Sequence, residues 1–574
     1  STQGYSSAAS DVYKRQDQNY YVADVYGTYN KTFSEKHNLT LIAGYNYEAK
    51  YYRDLTAAND GLLSEDLSDF NLAKGTTNFT LNGGRNEYAI MGWFYRAAYD
   101  YKGKYLAEVN GRYDGTSRFP RGKRYGFFPS FSAAYRISEE AFFEPLRKTV
   151  DNLKIRLSYG SLGNQQIGYY DFIQTITTKG SMGDYSFDGT ILGQHATVSD
   201  PVSGNQTWEK VISKNLGADL NMFSNRLSLT ADFYIRDTKG ILGKGKSLPS
   251  IYGANEPQVN SNNLRTKGYE LVLGWRDSFK LAGSTFSYGI TGTFSDYTAE
   301  YTKCDNPSGL IGGPYVGKKY GEIWGYKVDG LFRNDEEAAE YASRVDLSKV
   351  AAGYYSATGA YGKGVRGGDI KYLDLDGSGI VDGGKGTLED PGDRRVIGNS
   401  SPRYQYGLTL NLSWYGFDLS VFMQGIGRLD WYPGADNLRF WGPYSRPYAT
   451  FIPKNFMSQV WSESNPDAYL PRARAYTSLN STQGTAYYTN DRYLQNLAYC
   501  RLKNLTLGYT IPKRLTSKVG IKECRVYFSG ENLATWSALK NDFLDPEQAA
   551  ADSDKKSNVY PWCRTYSVGL NLTF

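Results

Sequence analysis

Polar and apolar residues alternate over long segments of this chain, and this alternation restricts its fold more than any other feature. One clear example is YGLTLNLSW, residues 406–414. Leu408, Leu410 and Leu412 share one face of an extended chain, and Thr409 points to the opposite face. Because successive side chains of a β-strand point to opposite sides, a period of two residues predicts strands. The pattern recurs in about fifteen segments of roughly ten residues, among them 39–47, 226–236 and 566–574.

The lengths of these segments and of their connections predict a membrane-spanning barrel. Strands of soluble proteins average about five or six residues, whereas a tilted strand that crosses a bilayer needs about 9–11. Short connections alternate with long ones, as in outer-membrane barrels. The long ones lie at 53–86, 162–206, 298–402, 426–498 and 533–563. The predicted fold is all-β, a transmembrane antiparallel β-barrel with long extracellular loops. A string of soluble β-sandwiches or a propeller remains the alternative, although such long loops are uncommon in them.

The composition of the chain argues against several classes of fold and function. The 574 residues include 52 Tyr and 62 Gly, and no run of 18 apolar residues occurs, which excludes a bundle of transmembrane helices. The net charge of +6 is spread over 65 basic and 59 acidic residues without a long basic run, which argues against a nucleic-acid partner. Two His and four Cys without a C-x-x-C motif do not favour a zinc site or a Cys-His nucleophile. No catalytic residue is therefore predicted.

Two local features of the sequence concern the start of the chain and one long loop. Residues 1–18 show no alternation and no apolar signal-peptide core. They are interpreted as a non-periodic start of the chain or as a scar, a segment left over from assembly of the sequence. The barrel portion follows at 19–574. Within one long loop, NDEEAAEYASRV predicts a helix that Asn334 caps, with Glu337 completing a capping box.

The segment DLDGSGIVD, residues 374–382, has the spacing of the first nine positions of a calcium loop. The predicted ligands for a structural Ca²⁺ are the side chains of Asp374, Asp376, Ser378 and Asp382 and the carbonyl of Ile380.

Other features of this segment differ from an EF-hand. Its twelfth position is Lys385, where an EF-hand has a bidentate Glu, and Asp390 or Asp393 are the nearby acids that can replace it. The alternative is a Gly-rich turn in which Asp side chains bond their own backbone.

Several blocks of sequence together resemble the SusC/RagA family of TonB-dependent outer-membrane transporters. They include GEIWGYKVDGLF, GDIKYLDLDGSGIVD and RLKNLTLGYTIPKRL, at 321–332, 368–382 and 501–515. Further blocks lie at 105–119, 158–170, 208–242 and 393–426. The resemblance is collinear from about residue 20 to the end of the chain.

The resemblance implies both a fold and a function. Family members carry a plug domain and a barrel of about 22 strands, so residues 19–574 are expected to be an incomplete, C-terminal barrel portion of about 15 strands, without the plug and the first strands. The family imports oligosaccharides or peptides across the bacterial outer membrane, pairs with a SusD-like lipoprotein and draws energy from the TonB complex. No cofactor is required, and the lipid bilayer is the remaining partner.

Substrate contacts are expected from aromatic and charged residues in the loop 429–448. The candidates are Trp431, Tyr432, Arg439, Trp441 and Arg446. The alternative is that these rings pack the loop against its neighbours or against the lipoprotein. Three other functions stay open: a non-transporting surface carbohydrate-binding β protein, a TonB-dependent receptor for siderophore or cobalamin, and a surface hydrolase.

Overall fold

Fifteen strands form one large sheet in the computed structural model, in which each strand pairs with the next in sequence. The structure describes residues 11–61, 69–73, 75, 79–179, 186–187, 190–191, 195–246, 248–355, 364–445, 452, 454–474, 479, 484–540, 544–551 and 562–574. The strands are β1 (Asp11–Phe33), β2 (His37–Asn59), β3 (Thr80–Tyr101), β4 (Tyr105–Thr116), β5 (Tyr125–Arg136), β6 (Val150–Asn164), β7 (Glu209–Met222), β8 (Leu227–Lys244), β9 (Gln258–Leu281), β10 (Ser284–Lys303), β11 (Arg403–Trp414), β12 (Phe417–Arg428), β13 (Tyr499–Thr510), β14 (Glu523–Ser537) and β15 (Thr565–Thr573). The predicted number of strands is therefore confirmed.

The first strand begins earlier than the alternation indicates. β1 starts at Asp11, inside the segment 1–18, and its first residue pairs with Asn59 in β2. The partner strand supplies the backbone hydrogen bonds whatever the polarity of the side chains, so a segment without period-two alternation still extends the sheet. Residues 1–10 lie outside the described part of the chain.

The register between neighbouring strands sorts side chains onto an apolar and a polar face. In the β11–β12 pair, Leu410 lies opposite Val421 and Leu412 opposite Leu419, whereas Asn411 lies opposite Ser420. A shift by one residue would move every apolar side chain to the polar face, so the alternation fixes the register.

An ion pair on the polar face crosses over one strand, and a glycine makes room for it. Arg525 in β14 donates from Nε to Asp418 Oδ1 in β12 over 2.9 Å. Gly508 in β13 lies between them, and a Cβ at this position would be 2.5 Å from Asp418 Oδ1. The missing side chain therefore permits a charge contact between strands that are not adjacent.

Shorter elements lie in the connections. The helices are Asp335–Arg344, Ala352–Tyr355, Leu438–Trp441 and Lys513–Thr516, and the 3₁₀ turns are Phe70–Leu72, Ile137–Glu139, Ala141–Leu146, Ser250–Tyr252, Gly442–Tyr444, Met457–Gln459 and Ser517–Val519. The small strands are Ile176–Lys179, Ser186–Phe187, Thr190–Ile191, His195–Val198, Glu322–Tyr326, Val328–Leu331, Ile370–Tyr372, Arg394–Asn399, Asp430–Trp431 and Gln495–Asn496. No helix among the described residues is long and apolar enough to cross a membrane.

The helix Asp335–Arg344 confirms the predicted cap at Asn334 but does not form the predicted capping box. The side chain of Asn334 accepts a hydrogen bond from the backbone N–H of Glu337 over 2.9 Å. The Glu337 carboxylate accepts from the backbone N–H of Arg333 over 2.7 Å, one residue earlier than a standard capping box requires.

The chain divides into two compact units. The first comprises 1–135, 156–214 and 236–263, and the second 136–155, 215–235 and 264–574. In the first unit, Phe119, Phe128 and Trp208 form a small buried cluster, and the indole N–H of Trp208 donates to the carbonyl of Arg124 over 2.8 Å. The candidate sites lie in the second unit.

Candidate functional site

The apolar face of the last strands is exposed in the isolated chain. Phe528 lies opposite both Leu507 and Val568, which brings side chains from three consecutive strands into one row. Val568 is 80% exposed and Leu570 57% exposed. Soluble monomers rarely expose contiguous apolar surface on this scale, and the hydrocarbon core of a bilayer covers such surface in membrane barrels.

Long connections from one edge of the sheet fold together around a hydrophobic core of their own. The term loop layer is used here for the described residues of 304–402, 429–498 and 538–564. Its fully buried side chains include Phe332, Ile370, Tyr372, Trp441, Tyr493 and Leu497. A core of this kind gives the loops a defined conformation, as in a soluble domain.

Three small antiparallel pairings organise the backbone of the loop layer. Glu322–Tyr326 pairs with Arg394–Asn399, and Val328–Leu331 pairs with Ile370–Tyr372. Asp430–Trp431 pairs with Gln495–Asn496, which joins the start and the end of the loop between β12 and β13. Sequence positions that are far apart are therefore held next to each other by backbone hydrogen bonds.

Several buried polar side chains in the loop layer are hydrogen-bonded to one another or to backbone. The guanidinium of Arg474 donates from Nε to Asp369 Oδ1 over 2.9 Å, and both side chains are at least 95% buried. Asn490 donates from Nδ2 to the Tyr432 hydroxyl over 3.0 Å. Burial raises the pKa of Tyr432 well above its usual range. Its neutral hydroxyl lies 3.0 Å from the carbonyl oxygen of Tyr488, to which it donates. Such bonds offset the cost of removing polar groups from water.

The structure places most of the predicted substrate residues inside this core. Trp431 is 4% exposed, Tyr432 6% and Trp441 0%, whereas Arg439 is exposed. Arg446 lies outside the described residues. The burial of the three rings matches the packing alternative, because a fully buried ring offers no surface to a ligand in this conformation. Direct substrate contact by this set stays a prediction.

The packing role of Trp441 can be tested by truncation. We expect Trp441→Ala to lower the free energy of unfolding of the loop layer by roughly 3–5 kcal/mol, because it removes a buried ring and leaves a cavity. Arg439→Ala is the matched control, since that side chain is exposed two residues away. Proteolysis of the full-length protein at increasing urea measures the difference. Equal protease resistance of the two variants would contradict a packing role for Trp441.

A cavity at the base of the loop layer has lining residues that the sequence did not single out. Its volume is about 420 Å³, within the range of small-molecule sites. The lining includes Tyr297, Lys319, Tyr320, Glu322, Asn399, Ser401, Arg403, Tyr404 and Arg428. Arg403 is oriented by Asp296, to which its Nε donates over 2.6 Å. Aromatic rings beside guanidinium and amide groups suit sugars as well as peptides.

These cavity residues were missed because they come from separate segments. Tyr297 lies in the last third of β10, Tyr320 in the following loop and Arg428 at the end of β12. No spacing in the sequence links them, and only the pairing of β10, β11 and β12 brings the segments together.

The Asp-Gly segment forms a compact turn that its own side chains hold. Asp374 Oδ1 accepts a hydrogen bond from Gly377 N over 2.8 Å, and its Oδ2 accepts from Gly379 N over 2.9 Å. Both glycines have positive φ, 74° and 80°, which favours glycine at these positions. The hydroxyl of Ser378 donates to the carbonyl of Ile380 over 3.0 Å. The predicted alternative of Asp side chains bonded to their own backbone therefore describes the hydrogen bonds of this turn.

A third carboxylate joins two of the predicted calcium ligands. Carboxylate oxygens of Asp374, Asp376 and Asp393 lie within 4.8 Å of one another. Asp393 is fully buried and accepts from the backbone N–H groups of Leu375, over 2.6 Å, and Asp382, over 2.9 Å. This separation suits oxygens that share one divalent cation.

The charges in this cluster repel one another. Burial raises the pKa of Asp393, and the negative charge of Asp376 adds to this rise. A hydrogen bond from Ser378 instead lowers the pKa of Asp376. A bound cation would stabilise all three ionised carboxylates together. Asp382 is not one of the three clustered carboxylates, and its carboxylate accepts a hydrogen bond from Gly384 N over 2.7 Å.

Calcium binding stays a prediction, now with Asp393 in place of Asp382. We expect the full-length protein in detergent to bind Ca²⁺ with a dissociation constant of roughly 10⁻⁴ to 10⁻³ M, as extracellular calcium modules do. Asp393→Asn should weaken binding by about tenfold, because affinity follows the number of ligand charges. Asp382→Asn is the control and should bind like the unmodified protein. Calorimetry that finds no binding, or equal loss in both variants, would contradict this assignment.

Comparison of the sequence with known proteins shows the family of this chain. Residues 1–533 match the family model described as TonB dependent receptor-like, beta-barrel. TonB-dependent receptor P3 of Formosa agariphila is 27% identical over 96% of this chain and 52% of its own length. TonB-dependent receptor SusC of Bacteroides thetaiotaomicron is 23% identical over 84% of this chain and 44% of its own length. The chain thus spans about half the length of the curated relatives it matches.

Comparison with solved structures shows a similar fold. A solved structure of the RagAB peptide transporter superposes with a TM-score of 0.73 at 22% identity, over 98% of this chain and 57% of the other. The fold is that of a TonB-dependent β-barrel, so the predicted all-β transmembrane antiparallel class is confirmed. The total of 22 strands and the division at residues 18 and 19 stay predictions.

Proposed function

This chain belongs to the TonB-dependent receptor-like β-barrel family and lies in the bacterial outer membrane, and from this membership we propose that it imports oligosaccharides or peptides. The observation that carries the proposal is the family match over residues 1–533. SusC and RagAB, named as a TonB-dependent receptor and a peptide transporter, support the transporter type.

In this proposal the chain supplies the wall of the transport path and its outer entrance. The apolar face contacts lipid, and the polar face, with the Arg525–Asp418 pair, contacts water or substrate. Transport by this route makes and breaks no covalent bond of the substrate. The protein accordingly acts without an enzymatic activity of its own.

The loop layer is the proposed platform for a SusD-like lipoprotein and for substrate. Its buried core holds the loops in one arrangement without a partner, so a partner can bind without first ordering them. Exposed Tyr320 and Arg428 at the cavity are proposed substrate contacts. Energy from the TonB complex is proposed to act on the full-length protein.

Uptake by whole cells tests this function. Cells that express the full-length protein and its lipoprotein receive fluorescent oligosaccharides, fluorescent peptides, ferric siderophore or cobalamin. We expect uptake of an oligosaccharide or a peptide that stops when a protonophore removes the proton-motive force. Uptake of siderophore or cobalamin alone would overturn the substrate class. Binding without uptake would favour the surface-binding alternative.

A second arm of the same experiment tests the cavity. We expect Tyr320→Ala to reduce substrate affinity by about fivefold to tenfold, because one stacked ring contributes roughly 1 kcal/mol beyond its buried area. Tyr252→Ala is the matched control: its ring is 58% exposed, against 54% for Tyr320, and it does not line the cavity. Equal affinities would exclude Tyr320 as a contact and leave the transport proposal unaffected.

A further inference from the structure

The connection between β13 and β14, residues 511–522, is unusual among its neighbours. It lies at the edge of the sheet where β15 ends, because Glu523 pairs with Thr573. In an antiparallel sheet every second connection lies at the same edge, so connections 223–226, 282–283 and 415–416 of the second unit lie at the edge of residues 511–522. These three connections are tight turns. Residues 511–522 are instead longer and folded, with the helical turn Lys513–Thr516 followed by the 3₁₀ turn Ser517–Val519.

The charge of this segment has one sign. IPKRLTSKVGIK contains Lys513, Arg514, Lys518 and Lys522 and no acidic residue. All four side chains are exposed, and no ion pair joins them to an acid within the described parts of the chain. Their positive charge is therefore available to a partner outside the chain.

Two apolar side chains project from the same segment. Leu515 is 54% exposed and Val519 71% exposed, and they lie four residues apart, which places them on one side of consecutive helical turns. Thr516 points inward with 5% exposure, and its carbonyl accepts from Ile521 N over 3.1 Å. The backbone is thereby fixed with its apolar and basic side chains turned outward.

The segment continues the lipid-facing surface of the sheet. Tyr509, two residues before Ile511, packs against Phe417 with ring centroids 4.5 Å apart. Val526, shortly after it, is 41% exposed on the apolar face, and Phe574 at the same edge is 72% exposed. In membrane proteins, basic and apolar side chains that follow a row of aromatic residues lie at the level of the lipid headgroups.

We propose that residues 511–522 form a binding site for anionic phospholipid headgroups at the membrane surface. Leu515 and Val519 enter the boundary between headgroups and acyl chains, and the four cations bind lipid phosphates. Charge complementarity and continuity with the lipid-facing surface carry this assignment. It goes beyond the proposed transport function, and it rests only on insertion of the sheet in a membrane.

Another connection of the second unit supplies a contrast. Residues 137–149 also expose apolar side chains, Phe142 at 70% and Leu146 at 55%. They contain three glutamates, and Arg147 pairs with Glu144 over 3.1 Å. Their positive charge is thus compensated within the segment, and we expect no selective binding of anionic lipid there.

Native mass spectrometry can measure the proposed selectivity. The full-length protein is placed in nanodiscs with equal amounts of phosphatidylglycerol and phosphatidylcholine, and the lipids that stay bound after release are counted. The unmodified protein should retain phosphatidylglycerol in excess. Lys513→Gln with Arg514→Gln should lower the ratio of retained phosphatidylglycerol to phosphatidylcholine by up to about thirtyfold, given the contribution of each cation near an anionic surface.

The matched control is Arg147→Gln with Lys148→Gln, which also removes two adjacent cations from a connection of the second unit. It should leave the ratio unchanged. Lys513→Arg, which conserves charge, should retain the selectivity, and heat-modifiable migration on gels verifies that each variant is folded.

Either of two results would overturn the proposal. One is no excess of retained phosphatidylglycerol over phosphatidylcholine in the unmodified protein. The other is an equal ratio in the unmodified protein and in the Lys513→Gln, Arg514→Gln variant. If that variant also no longer sediments with purified cell wall, the basic segment is assigned to an anionic glycan partner instead.

Discussion

Every backbone N–H and C=O group inside a bilayer must find a partner within the protein, and the rest of this structure depends on that requirement. In the fifteen-stranded sheet the strands between β1 and β15 meet it by pairing with a neighbour on each side, whereas β1 and β15 pair on one side among the described residues. Pairing of backbone leaves side chains free to alternate, so one face is apolar and the other polar. The same chain therefore has a mean hydropathy of -0.54 and still contains strands suited to lipid.

Strand length separates the parts of the sheet that lie in lipid from those that lie beyond it. A bilayer needs about 9–11 residues of a tilted strand, and β11, β12 and β13 have 12 residues each. β9 has 24 residues, so its extra length extends into water. The loop layer packs beyond the membrane around a core of its own, in which polar groups such as Asp369 are paired as in soluble domains.

The sequence predicts the repetitive parts of this structure well and the loop layer poorly, for a physical reason. Alternation depends on residues two apart, and the cap of the helix at Asn334 depends on residues three apart, so both can be read locally. The burial of Trp441 depends on Tyr493, 52 positions later, whose ring lies 5.1 Å away. The sequence of an aromatic-rich loop does not show whether its rings contact a ligand or pack against each other.

The Asp-Gly segment shows the same limit at closer range. Its spacing grouped Asp374 with Asp376, and the turn places the carboxylates of these two residues close together. It did not select Asp393 over Asp390, since that choice depends on the return of the chain before Arg394–Asn399. The cavity around Tyr320 is even harder to predict from the sequence, because its lining residues come together only when three strands pair.

The central claim is that one face of the sheet contacts lipid and the other does not. Spin labels placed one at a time on cysteines introduced at positions 408–413 of the full-length protein, with the four native cysteines replaced, test it directly in lipid vesicles. Accessibility to oxygen should peak at 408, 410 and 412, and accessibility to a water-soluble nickel chelate should peak at 409, 411 and 413. Accessibility without a period of two, or high nickel accessibility at 408, 410 and 412, would contradict it.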